Sequence, residues 1–254
     1  MLSVSTQLAQ EDDLATFERM LKSVSFANEL IIYSMERRDQ AAAMLYKKYK
    51  ARVIEVKTPK IVEEIRRRQI QEAKGDWVLV MDYDEVITLK LAKEIKINIK
   101  NPQSNTAAYA IPRRNFSLGY PLRYGGWGGD YEIRLIKKSD FSDWPTNIHS
   151  FPVLAGPVAK LKELMEHHKD ASIAQMVEKT NRYSDVEAQL FLNGGLAPVT
   201  VLTLIRKPVM EFVRRYFLKL GFLDGKIGLL QSLYQSYSVF ITYSKLYEKQ
   251  HDKH

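Results

Sequence analysis

From its first residues the chain alternates short apolar runs with amphipathic stretches. Leu2–Thr6, Glu29–Tyr33, Arg52–Val56 and Val78–Met81 have the length and content of buried strands. Between them, Asp12 to Lys22 places Leu14, Phe17, Met20 and Leu21 on one helical face. Asp39 to Lys50 and Ile61 to Lys74 read as further helices, the second following Pro59 and ended by Gly75. Strand–helix alternation of this kind predicts right-handed crossovers and a mostly parallel central sheet. The fourth strand has no polar alternation, as expected of a strand covered on both faces.

The pattern changes after Pro102. Ala107–Ile111, Tyr131–Ile136 and Val158–Leu161 look like strands joined by loops rich in glycine and proline. The stretch from Gly119 to Asp130 holds five glycines together with Tyr120, Tyr124 and Trp127. Long irregular loops of this kind usually carry function. Asp170 to Asn193 reads as mainly helical, with a break near Asn181. Lys207 to Gly221 sets Val209, Phe212, Val213, Tyr216, Phe217 and Leu220 on one face, and Arg206, Lys207, Arg214, Arg215 and Lys219 supply the other. An apolar, aromatic face beside a basic one is the pattern of a helix lying in a membrane interface, or of an ordinary amphipathic helix packed on its domain. Ile227 to Ser244 is uncharged, but its Ser, Tyr, Gln and Gly content makes it a poor membrane span.

Composition narrows the partners. The 254 residues suffice for one large α/β domain, or for one domain and an appendage. There is no cysteine, so disulfides and thiolate metal sites are excluded. The formal net charge of +8 points to a polyanionic partner. No basic low-complexity arm, helix-turn-helix or zinc-finger spacing is present, which ranks nucleic acid below nucleotide-linked substrates and anionic membranes. The first residues lack the basic start and apolar core of a secretory signal.

The candidate chemistry lies at the end of the fourth strand, in Met81-Asp82-Tyr83-Asp84-Glu85. Ligands of open α/β sheets bind at the carboxyl edge of the strands. Two carboxylates at i and i+2 on an extended segment point the same way, as a hard divalent cation carrying a diphosphate requires. Arg134 and Arg66 or Arg67 are candidates for phosphate contact, because guanidinium binds phosphate oxygens bidentately. On a helix, Arg66, Arg67 and Arg68 point three ways, so at most two share a face. Trp127 and Tyr124 are candidates for stacking on a sugar ring, or for plugging their own loop.

Together these segments resemble the family 2 inverting glycosyltransferases of the GT-A fold, and among them bacterial enzymes that build lipopolysaccharide core and related cell-surface glycans. The resemblance rests on Ala73 to Glu85, on Gly125-Gly126-Trp127 followed by Tyr131 to Leu135, on Asn147-Ile148-His149, on the His167 segment, on Asn181 to Ser184 and on Gly221 to Gly225. It implies a Rossmann-like nucleotide-diphospho-sugar transferase domain over 1–195, divided into a nucleotide-binding half (1–100) and an acceptor half (101–195), with an amphipathic helical extension over 196–254. It also implies Mg²⁺ or Mn²⁺ held by Asp84, with Asp82 supporting the metal or the ribose and His167 completing the shell. Glu85, Arg66, Arg67, Arg134, Trp127, Ser34 and Thr6 would contact the donor, a nucleotide-diphosphate sugar and foremost a UDP-sugar. The general base would be Asp130, or else His149. The acceptor would be a glycan or a lipid-linked one, reached from the cytoplasmic side of the inner membrane by a peripherally bound protein. Two positions depart from the family: Ser34 stands where an aspartate usually contacts the nucleoside, and Ser150 follows His149 where a glutamate is common.

Two other readings compete. Asp82-Tyr83-Asp84 resembles the nucleophile motif of haloacid-dehalogenase-type phosphohydrolases, although that motif normally comes early in its domain and here three strand–helix units precede it. A non-catalytic nucleotide-binding protein on the same fold would tolerate the Ser34 and Ser150 departures.

Overall fold

The computed structural model describes residues 1–102, 105–146, 150–170 and 172–251. In chain order its elements are β1 (Leu2–Ala9), α1 (Leu14–Ser23), β2 (Glu29–Met35), α2 (Gln40–Lys48), β3 (Arg52–Val56), α3 (Glu63–Gln71), β4 (Trp77–Met81), β5 (Glu85–Ile87) and α4 (Leu89–Lys100). Then follow β6 (Ala108–Ser117), β7 (Tyr120–Pro121), β8 (Asp130–Lys137), β9 (Phe141–Asp143), β10 (Val153–Leu154), β11 (Val158–Lys160), β12 (Met165–Asp170), α5 (Ile173–Asn193), α6 (Val201–Val213) and α7 (Gly225–His251). The chain divides into two compact units, one of residues 1–113 and 130–168, the other of residues 114–129 and 169–254. Residues 114–129 and 169–195, grouped by sequence with the first domain, thus pack with the C-terminal helices.

In the first unit a mixed sheet runs β3-β2-β1-β4-β8-β6-β12-β5. β1, β2, β3 and β4 are mutually parallel, as the alternating pattern predicts, while β8 joins β4 antiparallel and β12 joins β5 antiparallel. Both faces of β4 are covered: Trp77, Leu79 and Met81 enter one apolar cluster with Phe17 and Met20 of α1, and Val78 and Val80 enter another with Ile65 and Ile70 of α3. That is why the strand reads as an uninterrupted apolar run. Two helices begin where aspartates cap them. Asp13 accepts from Thr16 N at 2.7 Å and Asp39 from Ala42 N at 2.8 Å, each satisfying an otherwise orphaned amide. Gly75 lets the chain pass close to β1: a Cβ there would lie 2.7 Å from Ser3 N.

Three features differ from the sequence reading. β5 and α4 were not anticipated. The helix follows from Thr88, which caps Leu91 N, and from Leu91 and Ile95, which bury one face. β12, which carries His167, also has no counterpart among the expected strands. α5 runs unbroken through Asn181, because Met176, Thr180, Ser184 and Ala188 bury a four-residue repeat.

In the second unit α5, α6 and α7 pack together, and Ala188, Val199 and Leu246 form their small core. α6 begins six residues earlier than expected, at Val201, where Thr200 and Thr203 form a reciprocal cap. Pro208 lies inside it, and the helix continues into a π-helical turn over Arg214–Leu218. Among the described residues no helix is long and apolar enough to cross a membrane.

Candidate functional site

β4 ends at Met81, opposite Thr6 of β1, and the next residue is Asp82. A buried polar lattice closes around this carboxylate. Gln7 Nε2 donates to its Oδ1 at 2.7 Å, and the Arg66 guanidinium donates to the same oxygen. Arg66 also donates to Gln69 Oε1 at 3.0 Å, and Gln69 Nε2 donates to Gln7 Oε1 at 2.9 Å. On the other side Arg134 Nη2 donates to Asp82 Oδ2 at 2.5 Å and to Glu85 Oε1 at 2.7 Å. Glu85 accepts from Asp82 N at 2.9 Å, which ties the end of the turn to its start.

The electrostatics follow from this pairing. Burial opposes ionisation of Asp82, but the Arg134 and Arg66 guanidiniums outweigh it and hold the carboxyl well below the ordinary aspartate value. Glu85 is fully buried, and burial pushes its carboxyl up although Arg134, His167 and Arg113 oppose the shift. Arg134 is buried too; Asp82 and Glu85 outweigh that burial and hold it more firmly protonated than a free guanidinium. Its Nε has no hydrogen-bond partner, which leaves one unsatisfied buried donor within the lattice.

Asp84 has different surroundings. The segment from Asp82 to Asp84 is a turn rather than extended strand, so the two carboxylates do not share the alternation expected of i and i+2 on a strand. Asp84 is buried, and His167 Nε2 lies 3.6 Å from its Oδ2. The pairing of β12 with β5 creates this approach: His167 sits opposite Glu85, and His168 N donates to Asp84 O at 2.8 Å. His168 turns instead toward Glu166, at 3.3 Å. Among the described residues no group of three or more His, Asp or Glu side chains converges as a metal cage. Asp84 and His167 thus form a two-donor site, and Asp82 beside it faces arginines. Mg²⁺ characteristically binds through one or two carboxylates together with substrate phosphates and water, so this pair suits a cation brought in on a diphosphate.

The remaining candidates are distributed as follows. Asp130 opens β8, and its Oδ2 accepts from Arg113 Nε at 2.9 Å and Nη2 at 2.5 Å. Arg113 also reaches Glu132 at 3.1 Å and Glu85 at 3.6 Å, so it links the Asp130 carboxylate to the central lattice. Ser34 is fully buried and donates to Arg37 O at 3.2 Å. Arg37 in turn donates to Ala9 O at 2.8 Å and Asp12 O at 2.6 Å, bracing the loop after β1. Thr6 is fully buried in β1. Of the arginine row on α3 only Arg66 enters the lattice; Arg67 is exposed and pairs with Asp143 at 3.5 Å, and Arg68 pairs with Glu72 at 2.8 Å. Trp127 belongs to the second unit, where Lys169 Nζ lies 4.1 Å and the Arg215 guanidinium 4.4 Å from its ring. His149 lies outside the described residues.

Sequence reasoning passed over Gln7, Gln69, Arg113 and Glu132. The available signals were weak: Gln7 just beyond the predicted strand Leu2–Thr6, and Arg113 just beyond the predicted strand Ala107–Ile111.

No family model matches the chain. Over 260 residues it is 24% identical to an uncharacterized glycosyltransferase of Rickettsia bellii, covering 96% of this chain and 86% of that protein. It is 21% identical over 182 residues to the lipopolysaccharide core biosynthesis glycosyltransferase LpsC of Rhizobium meliloti, covering 71% of this chain and 67% of LpsC. Among solved structures it is similar to a mannosyltransferase from Pyrobaculum calidifontis, determined with GDP-mannose and Mn²⁺. The match covers 100% of this chain and 88% of that one, with a TM-score of 0.52 and 10% identity.

Proposed function

We propose that this chain, a glycosyltransferase of the GT-A fold related to bacterial cell-surface enzymes, moves a sugar from a nucleotide-diphosphate donor to a hydroxyl of a cell-surface glycan or lipid-linked acceptor, inverting the anomeric carbon and using a divalent cation. The observation that carries this reading is the Asp84–His167 pair at the carboxyl edge of β4, beside an Asp82 fixed by Arg66 and Arg134. Asp84 and His167 would hold Mg²⁺ or Mn²⁺, whose positive charge stabilises a departing diphosphate. Gln7, Arg66 and Arg134 hold Asp82 ionised and fixed at the strand end, where it positions the adjoining turn and Asp84 beneath the donor. Thr6 and Ser34, expected to contact the donor, are instead fully buried in β1 and β2 and support the strands beneath the site rather than touch the nucleoside.

In the transfer itself the acceptor oxygen attacks the anomeric carbon while the bond from that carbon to the diphosphate oxygen breaks, its electron pair leaving with the diphosphate. The acceptor's proton goes to a carboxylate, which we assign to Asp130, oriented by Arg113; His149 is the second candidate. An acceptor carried on lipid would keep the chain in the cytoplasm, in peripheral contact with the inner membrane. The phosphohydrolase reading loses its basis, because both Asp82 oxygens are occupied by arginines and the relatives are glycosyltransferases.

The test is release of nucleoside diphosphate from a panel of UDP-, GDP-, dTDP- and ADP-sugars with Mn²⁺, for wild type and Asp84→Ala. Metal-dependent release by wild type alone is expected; equal release by both proteins would remove the metal role.

A further inference from the structure

The second unit contains a helix that is apolar on its exposed side. In α6 and the turn that continues it, the outward positions are apolar: Val201 is 76% exposed, Leu202 68%, Ile205 60%, Val209 55%, Phe217 53% and Leu218 74%. Leu202, Ile205, Val209 and Val213 follow one another at three- and four-residue steps, so they form one stripe. The opposite side carries Lys207, Pro208, Glu211 and Arg215, which are buried or half-buried. Polar contacts hold that side down: Ser236 donates to Pro208 O at 2.8 Å, Lys207 lies 5.5 Å from the Tyr243 ring, and Arg215 Nε donates to Glu211 at 2.5 Å. Leu204, Phe212 and Tyr216 are half-buried, so the helix also carries apolar side chains on its inner side, and the outward stripe is apolar surface in addition to the face it packs with.

The exposed charges in the segment that carries the stripe are of one sign. Between Val201 and Lys226 there are two acids, and both are engaged. Glu211 is held by Arg214 and Arg215, each at 2.5 Å, and Asp224 accepts from the amides of Arg123 and Tyr124 at 3.0 and 2.9 Å. Arg206, Lys219 and Lys226 remain exposed. A run of exposed apolar side chains marks an interaction surface, and an apolar stripe beside the exposed cations Arg206, Lys219 and Lys226 complements a layer whose interior is apolar and whose surface is anionic.

We infer that the outward stripe of α6 and the following turn, fringed by Arg206, Lys219 and Lys226, is a docking surface for a bilayer of anionic phospholipid. This deepens the proposed function and rests on its membrane-borne acceptor, since a transferase held at the lipid surface meets such an acceptor in two dimensions. The apolar side chains enter the boundary between headgroups and acyl chains, while the cations contact headgroup phosphates.

The experiment is flotation of the full chain with vesicles of phosphatidylcholine alone or with ~30% phosphatidylglycerol, a composition chosen for surface charge. Three proteins are compared: wild type, Leu202→Gln/Ile205→Gln/Phe217→Gln, and Arg206→Gln/Lys219→Gln/Lys226→Gln. All the altered side chains are exposed, and equal melting temperatures would confirm intact folds. Wild type is expected to float with the anionic vesicles at least tenfold more than with neutral ones. The apolar variant should lose that binding on both, and the charge variant should lose the preference for anionic lipid. Failure of wild type to float with anionic vesicles at low salt overturns the inference. So does undiminished flotation of the apolar variant, or a wild-type dimer that the apolar variant makes monomeric, which would assign the stripe to a second copy of the chain. Nucleotide-stimulated melting shifts, measured on the same samples, report on the donor site independently, so loss of one function does not imply loss of the other.

Discussion

Asp82 and Asp84 stand two residues apart and do different work because their neighbours differ. Asp82 is locked by Arg66, Arg134 and Gln7, whereas Asp84 lies 3.6 Å from the His167 imidazole. Removing one partner of a buried charge lattice leaves the others uncompensated, so Arg134→Ala is expected to cost about 3–5 kcal/mol in urea unfolding. A loss under about 1 kcal/mol would show that the lattice contributes little. The pH dependence has a definite sign. Asp82 is more acidic folded than unfolded, so its contribution is present above the ordinary value of 3.8 and is lost as the pH falls below it through the folded value. The stability gap between wild type and Asp82→Asn should therefore be widest near neutrality and shrink below pH 3.8; a gap that widened with acid would contradict the assignment. For Asp130→Asn we expect kcat to fall by about 10²- to 10⁴-fold with little change in melting temperature. Near-wild-type kcat would move the base elsewhere. The identities of Asp82, Asp84, Arg66 and Arg134 as charged groups near a strand edge could be read from the sequence, but their partnerships could not: they are made by side chains 16 and 52 residues from Asp82.

At the scale of elements, the parallel half of the sheet was legible because each strand is either a continuous apolar run or is flanked by a capped helix. β5 and β12 were not legible, being three and six residues long and rich in charge. Yet this pair of strands sets His167 against Asp84. α6 shows another limit of the pattern. Periodicity told which residues share a face, but not which face turns inward, because that depends on what α7 offers to pack against. β1 shows the converse, as Ser3, Ser5, Thr6 and Gln7 are polar and buried. Its fit to the preceding turn of chain is close enough to test. Gly75→Ala would put a Cβ 2.7 Å from Ser3 N, against backbone that cannot yield, and should cost about 1–3 kcal/mol in thermal or urea unfolding. An unchanged stability would mean that β1 and this turn are free to separate.

For the molecule as a whole, the cations fall into two uses: arginines that neutralise the carboxylates at the sheet edge in the first unit, and exposed cations beside the apolar stripe in the second. The central claim is that the first unit binds a nucleoside diphosphate through a cation on Asp84. The most direct measurement is the melting temperature of wild type and Asp84→Ala with UDP, GDP, CDP, dTDP and ADP, each with and without Mn²⁺. A ligand that binds only the folded chain stabilises it by about 2.7 kcal/mol at a hundredfold excess over Kd, which in a protein of this size corresponds to roughly 5–10 °C. A shift of that order with one nucleotide, dependent on Mn²⁺ and absent in Asp84→Ala, is the predicted result. A shift that persists in Asp84→Ala, or no shift with any nucleotide, would contradict it.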